Sequence, residues 1–231
     1  GYWPRIREIC DRYGVLLIVD EVMTGFGRTG RWFGIEHWGV QPDLMTLGKG
    51  AAGGYFPVSI LAVRGADART VTEAHGDFQH GGTFSHHAVG AAAALATLEY
   101  LEQHDLVAAA AARGAYLGAR LQEALGDLPQ VGEVRGLGMM WGIEFVADRD
   151  CRTPFPPDAH VAQRICDRAF AEGLILYPGH GGADGVRGDH LMVAPPFVIT
   201  EAQIDELVGL LREVCRRFFS TGPSGRADLH I

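Results

Sequence analysis

Residues 15–22 read VLLIVDEV. Five branched or Leu residues run without a polar interruption and then stop at two carboxylates. Strict alternation would mark a strand with one wet face. Its absence predicts a strand buried on both faces, as in the parallel sheet of an α/β fold. Asp20 and Glu21 then fall at the carboxyl end of that strand, which is where open α/β sheets place their ligands.

The rest of the chain fits the same class. GYWPRIREICDRYG opens it with a helical pattern: Ile6, Ile9 and Tyr13 share a face and Gly14 is the stop. A chain that begins inside a helix-then-strand unit, without Met, is expected to be a piece of something longer. Residues 23–39, MTGFGRTGRWFGIEHWG, read as a long ordered loop, and such loops are usually functional. DLMTLGK is a second short strand and PVSILAVR, residues 57–64, a third. HGGTFSHH is a polar turn that opens onto an Ala-rich helix with Leu95, Leu98 and Leu101 on one stripe.

A further helix is expected over 106–125, broken by Pro129. A hairpin follows around Gly136–Gly138, then a helix with Asp158 as N-cap and Gly173 as C-cap. LILYPG and HLMVAPP are two short strands. The last helix starts at a Thr200–Gln203 capping box, with Ile204, Leu207, Leu211 and Val214 as its stripe. A boundary is placed near residue 104. Residues 1–104 form a parallel-sheet segment, and 105–231 form connecting helices and a smaller α+β domain with a flexible tail at 220–231.

Composition excludes some classes. The net charge of −8 gives no electrostatic footprint for nucleic acid. No apolar run approaches the ~18 residues of a membrane span. Cys10, Cys151, Cys166 and Cys215 are scattered and read as reduced thiols of a cytoplasmic protein. His86, His87, His180 and His190 lack metal-ligand spacing, so no metal is expected.

Of the 20 Lys and Arg residues, one is lysine: Lys49, in DLMTLGKGAAGGYFP. A phosphate loop would need glycine where Asp43 stands and Ser or Thr where Gly50 stands, so that reading fails. A solvated surface lysine between turn glycines is the plain alternative. Arginine supplies surface charge everywhere else, however, and arginine cannot give up its proton. Chemistry that needs a neutral amine needs lysine, and the leading case is a Schiff base with a carbonyl or with pyridoxal phosphate. That cofactor works as an electron sink when a carboxylate keeps its pyridine nitrogen protonated. Asp20 is the candidate, although a loop-capping Asp is the competing reading. Val22 shares its face by strand alternation and can pack on a flat ring.

The stretch LLIVDEVMTGFGRTGRWFGIEHWGVQPDLMTLGKG resembles the signature of the class III, fold type I aminotransferases that depend on pyridoxal phosphate. The match joins Asp20, the GFGRTG loop, and Lys49 placed 29 positions after Asp20. It extends through HGGTFSHHAVGAAAALATLEYLE and the later Pro pair, and so over essentially the whole chain. The resemblance implies the C-terminal part of a cofactor-binding large domain followed by a small α+β domain. It implies that Lys49 forms the internal aldimine, Asp20 pairs with the pyridine nitrogen, and Val22 stacks on the ring. It also implies that Thr83 reaches the cofactor phosphate of the partner subunit in a homodimer. Family members are longer, and their N-terminal part carries further strands and a phosphate turn. Many carry an arginine just before the Pro pair for the substrate carboxylate; Met192 stands there, and Arg187 in the preceding loop is the substitute candidate. The implied activity is transfer of an amino group from an amine or amino acid to a 2-oxo acid. Aminomutases, decarboxylases and a non-catalytic dimerisation remnant are the alternatives.

Overall fold

The computed structural model describes residues 1–221. The chain divides into two compact units, Gly1–Ala110 and the residues from Ala111 onward.

In the first unit, α1 (Tyr2–Tyr13) ends at Gly14, whose φ of 63° is the left-handed conformation that a helix stop requires. Its buried edge is Trp3, Ile6 and Cys10, packed with Leu17, Val19 and Ile35. Ile9 and Tyr13, expected on that stripe, are exposed. Adjacent residues of a helix point about 100° apart, and the sheet contacts the Cys10 side rather than the Ile9 side. Three strands follow: β1 (Ile18–Asp20), β2 (Leu44–Leu47) and β3 (Ile60–Val63). β1 and β2 pair in parallel, with Asp20 opposite Thr46. β3 runs antiparallel to β2, so the sheet is mixed rather than wholly parallel.

The expectation that β1 is buried on both faces is not met. Val19 is 3% exposed and Leu17 is buried, but Ile18 is 59% exposed and Leu16 is open too. α1 covers one face, and no described residue covers the other. α2 (Gly65–His75), which the sequence reading missed, buries none of its residues. α3 (Ala88–Gln103) follows; of its expected stripe Leu101 is buried, Leu98 half-buried and Leu95 exposed.

The second unit is built on α4 (Leu106–Leu125, the predicted range), which begins just before its boundary. A four-stranded antiparallel sheet has the order β4-β5-β7-β6, from β4 (Val131–Leu137), β5 (Met140–Phe145), β6 (Tyr177–Gly179) and β7 (His190–Val193). α4 carries Gly114 and Gly118 one turn apart. A Cβ on Gly118 would lie 1.9 Å from Trp141 of β5, and one on Gly114 would lie 2.2 Å from the backbone of Gly138. Only glycine lets the hairpin tip seat on the helix this closely.

α5 (Val161–Ala171) starts differently from the expectation. Asp158 lies in a short 3-10 turn, Pro157–Ala159, and His160 adopts φ 47° before the helix. The cap comes instead from Asp189, buried and distant in sequence, whose carboxylate accepts the Ala162 amide at 2.9 Å. Gly173 takes the expected left-handed conformation after the helix end. α6 (Glu201–Ser220) carries the predicted capping box. Its buried stripe is Ile204, Val208, Leu211, Val214, Cys215 and Phe218, with Val208 in place of the half-buried Leu207.

Candidate active site

Two adjacent parallel strands deliver the two residues of greatest chemical interest. β1 ends at Asp20, opposite Thr46 of β2, and Lys49 follows three residues beyond Thr46. Both therefore stand at the carboxyl end of the pair. The parallel ladder continues one step further, because the Glu21 amide donates to the Thr46 carbonyl at 2.9 Å.

Asp20 is exposed. Its carboxylate accepts the Val22 amide at 2.9 Å, a two-residue turn that bends the chain off the strand. Strand alternation sends Glu21 the opposite way, into the interior, where it is 1% exposed. Val22 follows in the turn and is half-buried. A Cβ on Gly48 would approach Val22 Cγ1 at 3.7 Å and the Val58 carbonyl at 3.2 Å, so the glycine before the lysine allows a close pass between neighbouring segments.

Lys49 opens a 3-10 turn, Lys49–Ala52, and has φ 39°. A non-glycine residue held there carries roughly 1–3 kcal/mol of backbone strain, of the kind that clusters at functional sites. Its side chain is exposed rather than desolvated, contrary to the environment that the sequence argument favoured. The ammonium donates to Met23 Sδ at 2.8 Å, and it forms no salt bridge among the described residues. Met23 is a neighbour that no sequence signal singles out.

Val22 and Thr83 line one open cavity of about 1020 Å³, together with Thr46, Pro57, Ser85 and His87. Asp20 and Lys49 are not among its lining residues. The Thr83 turn is held by the Gly82 amide on the Ser85 hydroxyl at 2.9 Å, and His87 stacks on Phe56 with centroids 4.9 Å apart.

Arg187 lies in the second unit, within a tight local turn. Its backbone amide and its Nε both donate to Asp184, each at 2.7 Å. The Arg187 amide first, and its guanidinium second, hold the Asp184 carboxyl down at about 2. Arg187 is therefore a half-exposed loop cation with its own counter-ion.

Two buried carboxylates hold the first unit in place, and the sequence reading assigned neither of them this part. Asp43 accepts the Leu17 amide at 2.7 Å and pairs with Arg7 at 2.8 Å and Arg64 at 2.9 Å. It thereby ties α1, the start of β1 and the residue after β3 to the start of β2. Burial by itself pushes the Asp43 carboxyl up, but the Leu17 amide and the two guanidiniums outweigh it and leave it below the usual range. Glu21 closes the loop after β1. Alternation alone would have sent Glu21 inward, and that was the available signal.

With this geometry in hand, the comparisons with known proteins are specific. The family model for aminotransferase class-III matches residues 1–215. An uncharacterized aminotransferase YodT of Bacillus subtilis is 41% identical over 92% of this chain and 48% of its own length. A putrescine–pyruvate aminotransferase of Pseudomonas aeruginosa is 41% identical over 92% of this chain and 44% of its own. Among solved structures, an (S)-enantioselective omega-transaminase from Thermomicrobium roseum superposes with a TM-score of 0.85 at 38% identity, covering 95% of this chain and 47% of that one. An amine transaminase from an uncultivated Pseudomonas species, in its PLP-bound form, gives a TM-score of 0.85 at 37% identity over 94% and 48%. The chain spans about half the length of the relatives it matches. It adopts the corresponding part of the transaminase fold, and it belongs to the class-III aminotransferase family.

Proposed function

We propose that this chain carries the lysine-bearing part of an aminotransferase site that uses pyridoxal 5′-phosphate. The observation that supports this most is the placement of the chain's one lysine, at positive φ and without a carboxylate partner among the described residues, one strand away from the exposed carboxylate of Asp20. The donor set suits the cofactor: a primary amine for an aldehyde, a carboxylate for a pyridinium, and an apolar Val22 beside an open cavity. When bound, pyridoxal phosphate supplies an electron-withdrawing ring that makes the neighbouring substrate carbon acidic.

The protein's share of the work then falls to four positions. Lys49 holds the cofactor's aldehyde carbon and, once released, carries the proton away from the substrate carbon that bears nitrogen. Asp20 keeps a proton on the pyridine nitrogen, and the turn to the Val22 amide fixes its direction. Val22 packs on the ring. Thr83 offers its hydroxyl to the phosphate, within a cytoplasmic homodimer. Arg187 is the candidate for a substrate carboxylate, which it takes in competition with Asp184. The amine–pyruvate relatives support an amine or amino acid as donor and a 2-oxo acid as acceptor.

The test uses the lysine count. Borohydride reduction in the presence of pyridoxal phosphate, followed by peptide mapping, is expected to label one internal peptide, at Lys49. A label confined to the α-amino terminus would overturn the assignment, and Lys49→Arg is expected to abolish the internal label.

A further inference from the structure

Glu21 has no part in the reaction just described, yet it is among the most enclosed side chains of the first unit. Its carboxylate takes three neutral donors: the Thr24 hydroxyl, the Gly34 amide at 2.9 Å and the Ile35 amide at 2.7 Å. No salt bridge neutralises it among the described residues. The space around it is closed as well, since a Cβ on Gly34 would stand 3.2 Å from Glu21 Oε2. One carboxylate therefore pins both ends of the loop that leaves β1.

What lies between those ends is the segment packed on the lysine. Met23 Sδ receives the Lys49 ammonium at 2.8 Å. A Cβ on Gly50 would meet Phe26 Cβ at 3.6 Å and the Gly25 carbonyl at 3.9 Å, so residues 25 and 26 lie against the backbone just after Lys49. Gly25 in turn donates its amide to the Glu21 carbonyl at 2.9 Å. The same alternation that buries Glu21 leaves Asp20 exposed on the opposite side of the strand.

We propose that Glu21 is a positioning residue: its buried carboxylate fixes the 22–35 loop, and through Met23 and Phe26 that loop sets the environment of the Lys49 amine. The proposal rests on Lys49 being the reactive amine. A plain core role would change stability and leave the amine's reactivity alone. A positioning role changes the reactivity in a chain that is still folded.

The experiment again exploits the single lysine. Trace acetylation with acetic anhydride across a pH series modifies two amines, Lys49 and the α-amino terminus, and the second serves as an internal reference. Glu21→Gln keeps the size, but its NH2 group takes the place of one carboxylate oxygen and faces either the Gly34 or the Ile35 amide, so one of the two bonds that hold the end of the loop is lost. In a folded Glu21→Gln chain, checked by circular dichroism, the Lys49-to-terminus labelling ratio is expected to rise about threefold or more, with a displaced pH profile, because a carboxylate that accepts several hydrogen bonds is lost. An unchanged ratio and profile in that folded variant would overturn the proposal. If Glu21→Gln does not fold, Thr24→Val, which removes one of the three donors, decides the matter. A smaller rise in the same direction supports positioning, and no change refutes it. No cofactor is needed for this readout. A failed borohydride test together with a changed labelling ratio in Glu21→Gln would count against the cofactor reading, whereas an unchanged ratio beside a successful borohydride label would count against the positioning role.

Discussion

Along α6 of the second unit, each turn from Ile204 to Phe218 buries an apolar side chain, whereas β1 of the first unit and the residues leading into it bury alternate side chains and leave Leu16 and Ile18 open. The second unit draws its order from apolar contact. Phe145, Phe218, Leu117, Leu121, Ile143, Ile165 and Leu211 are all essentially inaccessible, and each fully buried side chain of this size contributes roughly 1.5–3 kcal/mol. The first unit has a small cluster around Leu17 and Val19 and depends more on two buried carboxylates. Apolar packing is tolerant of direction. Carboxylates accepting two or three directed hydrogen bonds are not, and they stand next to the segments that must be placed accurately, those bearing Asp20 and Lys49.

The largest expected effect tests the apolar side of this contrast. Phe218 is fully buried, and the Arg164 and Arg168 guanidiniums lie 5.0 and 4.9 Å from its ring centroid. Phe218→Ala is expected to cost about 3–5 kcal/mol. Hydrogen exchange read by peptide should show α6 and β5 losing protection while β1 and β2 change little. Equal loss in both units would mean that they unfold as one, and the contrast would fail.

Next comes the polar side. Asp43→Asn takes from Arg7 and Arg64 the buried counter-charge they share, and leaves them only their more exposed partners Asp11 and Asp67. Both arginines retain some solvent access, so the cost is expected at about 3 kcal/mol, the lower end for breaking a buried pair. The pH dependence follows from the direction of the shift. A carboxyl held below its usual value stabilises the fold above the unfolded value near ~3.9, and that stabilisation fades as the pH falls through the folded value. The second unit also has depressed carboxyls, Asp184 and Glu213, each at about 2, but both are on the surface. In about 0.5 M salt the surface pairs are screened, while the Asp43 contribution persists. Acid titration followed by exchange should therefore keep its salt-resistant component in the first unit. Finding that component in the second unit instead would reverse the assignment.

The same division explains what could be read from the sequence. The Thr200–Gln203 box, the 106–125 helix and the Gly136–Gly138 hairpin depend on residues a few positions apart, and all three are found in the structure. The Asp158 cap was displaced because Asp189, 27 positions after the Ala162 amide it accepts, holds the helix start instead. α2 was missed because it has no buried stripe to announce it. At the site, Asp20 and Lys49 stood out because strand ends and a lone lysine are one-dimensional signals. Met23 on the Lys49 ammonium, and the three donors on Glu21, exist only after the loop has folded back. The apolar run of 15–19 identified a strand correctly and overstated its burial, because a run of apolar residues does not say whether both covers are present.

The smallest effect lies within that strand. Val19 is 3% exposed and Ile18 is 59% exposed, on opposite faces of β1. Val19→Ala removes two methyl groups from a packed site, which at roughly 0.8 kcal/mol each plus a cavity term should cost about 2 kcal/mol. Ile18→Ala removes more carbon, yet should change stability by no more than about 0.5 kcal/mol, because the side chain is already in water. Denaturant melts of the two variants at several protein concentrations provide the comparison. If Ile18→Ala costs as much as Val19→Ala, and the cost grows with concentration, then the open face of β1 is covered by association in solution. The two faces of the strand would then be equivalent, as the apolar run alone predicts. If the cost stays near zero at every concentration, β1 is a one-sided strand, and the first unit depends on Asp43 and Glu21 for what a second apolar face would otherwise supply.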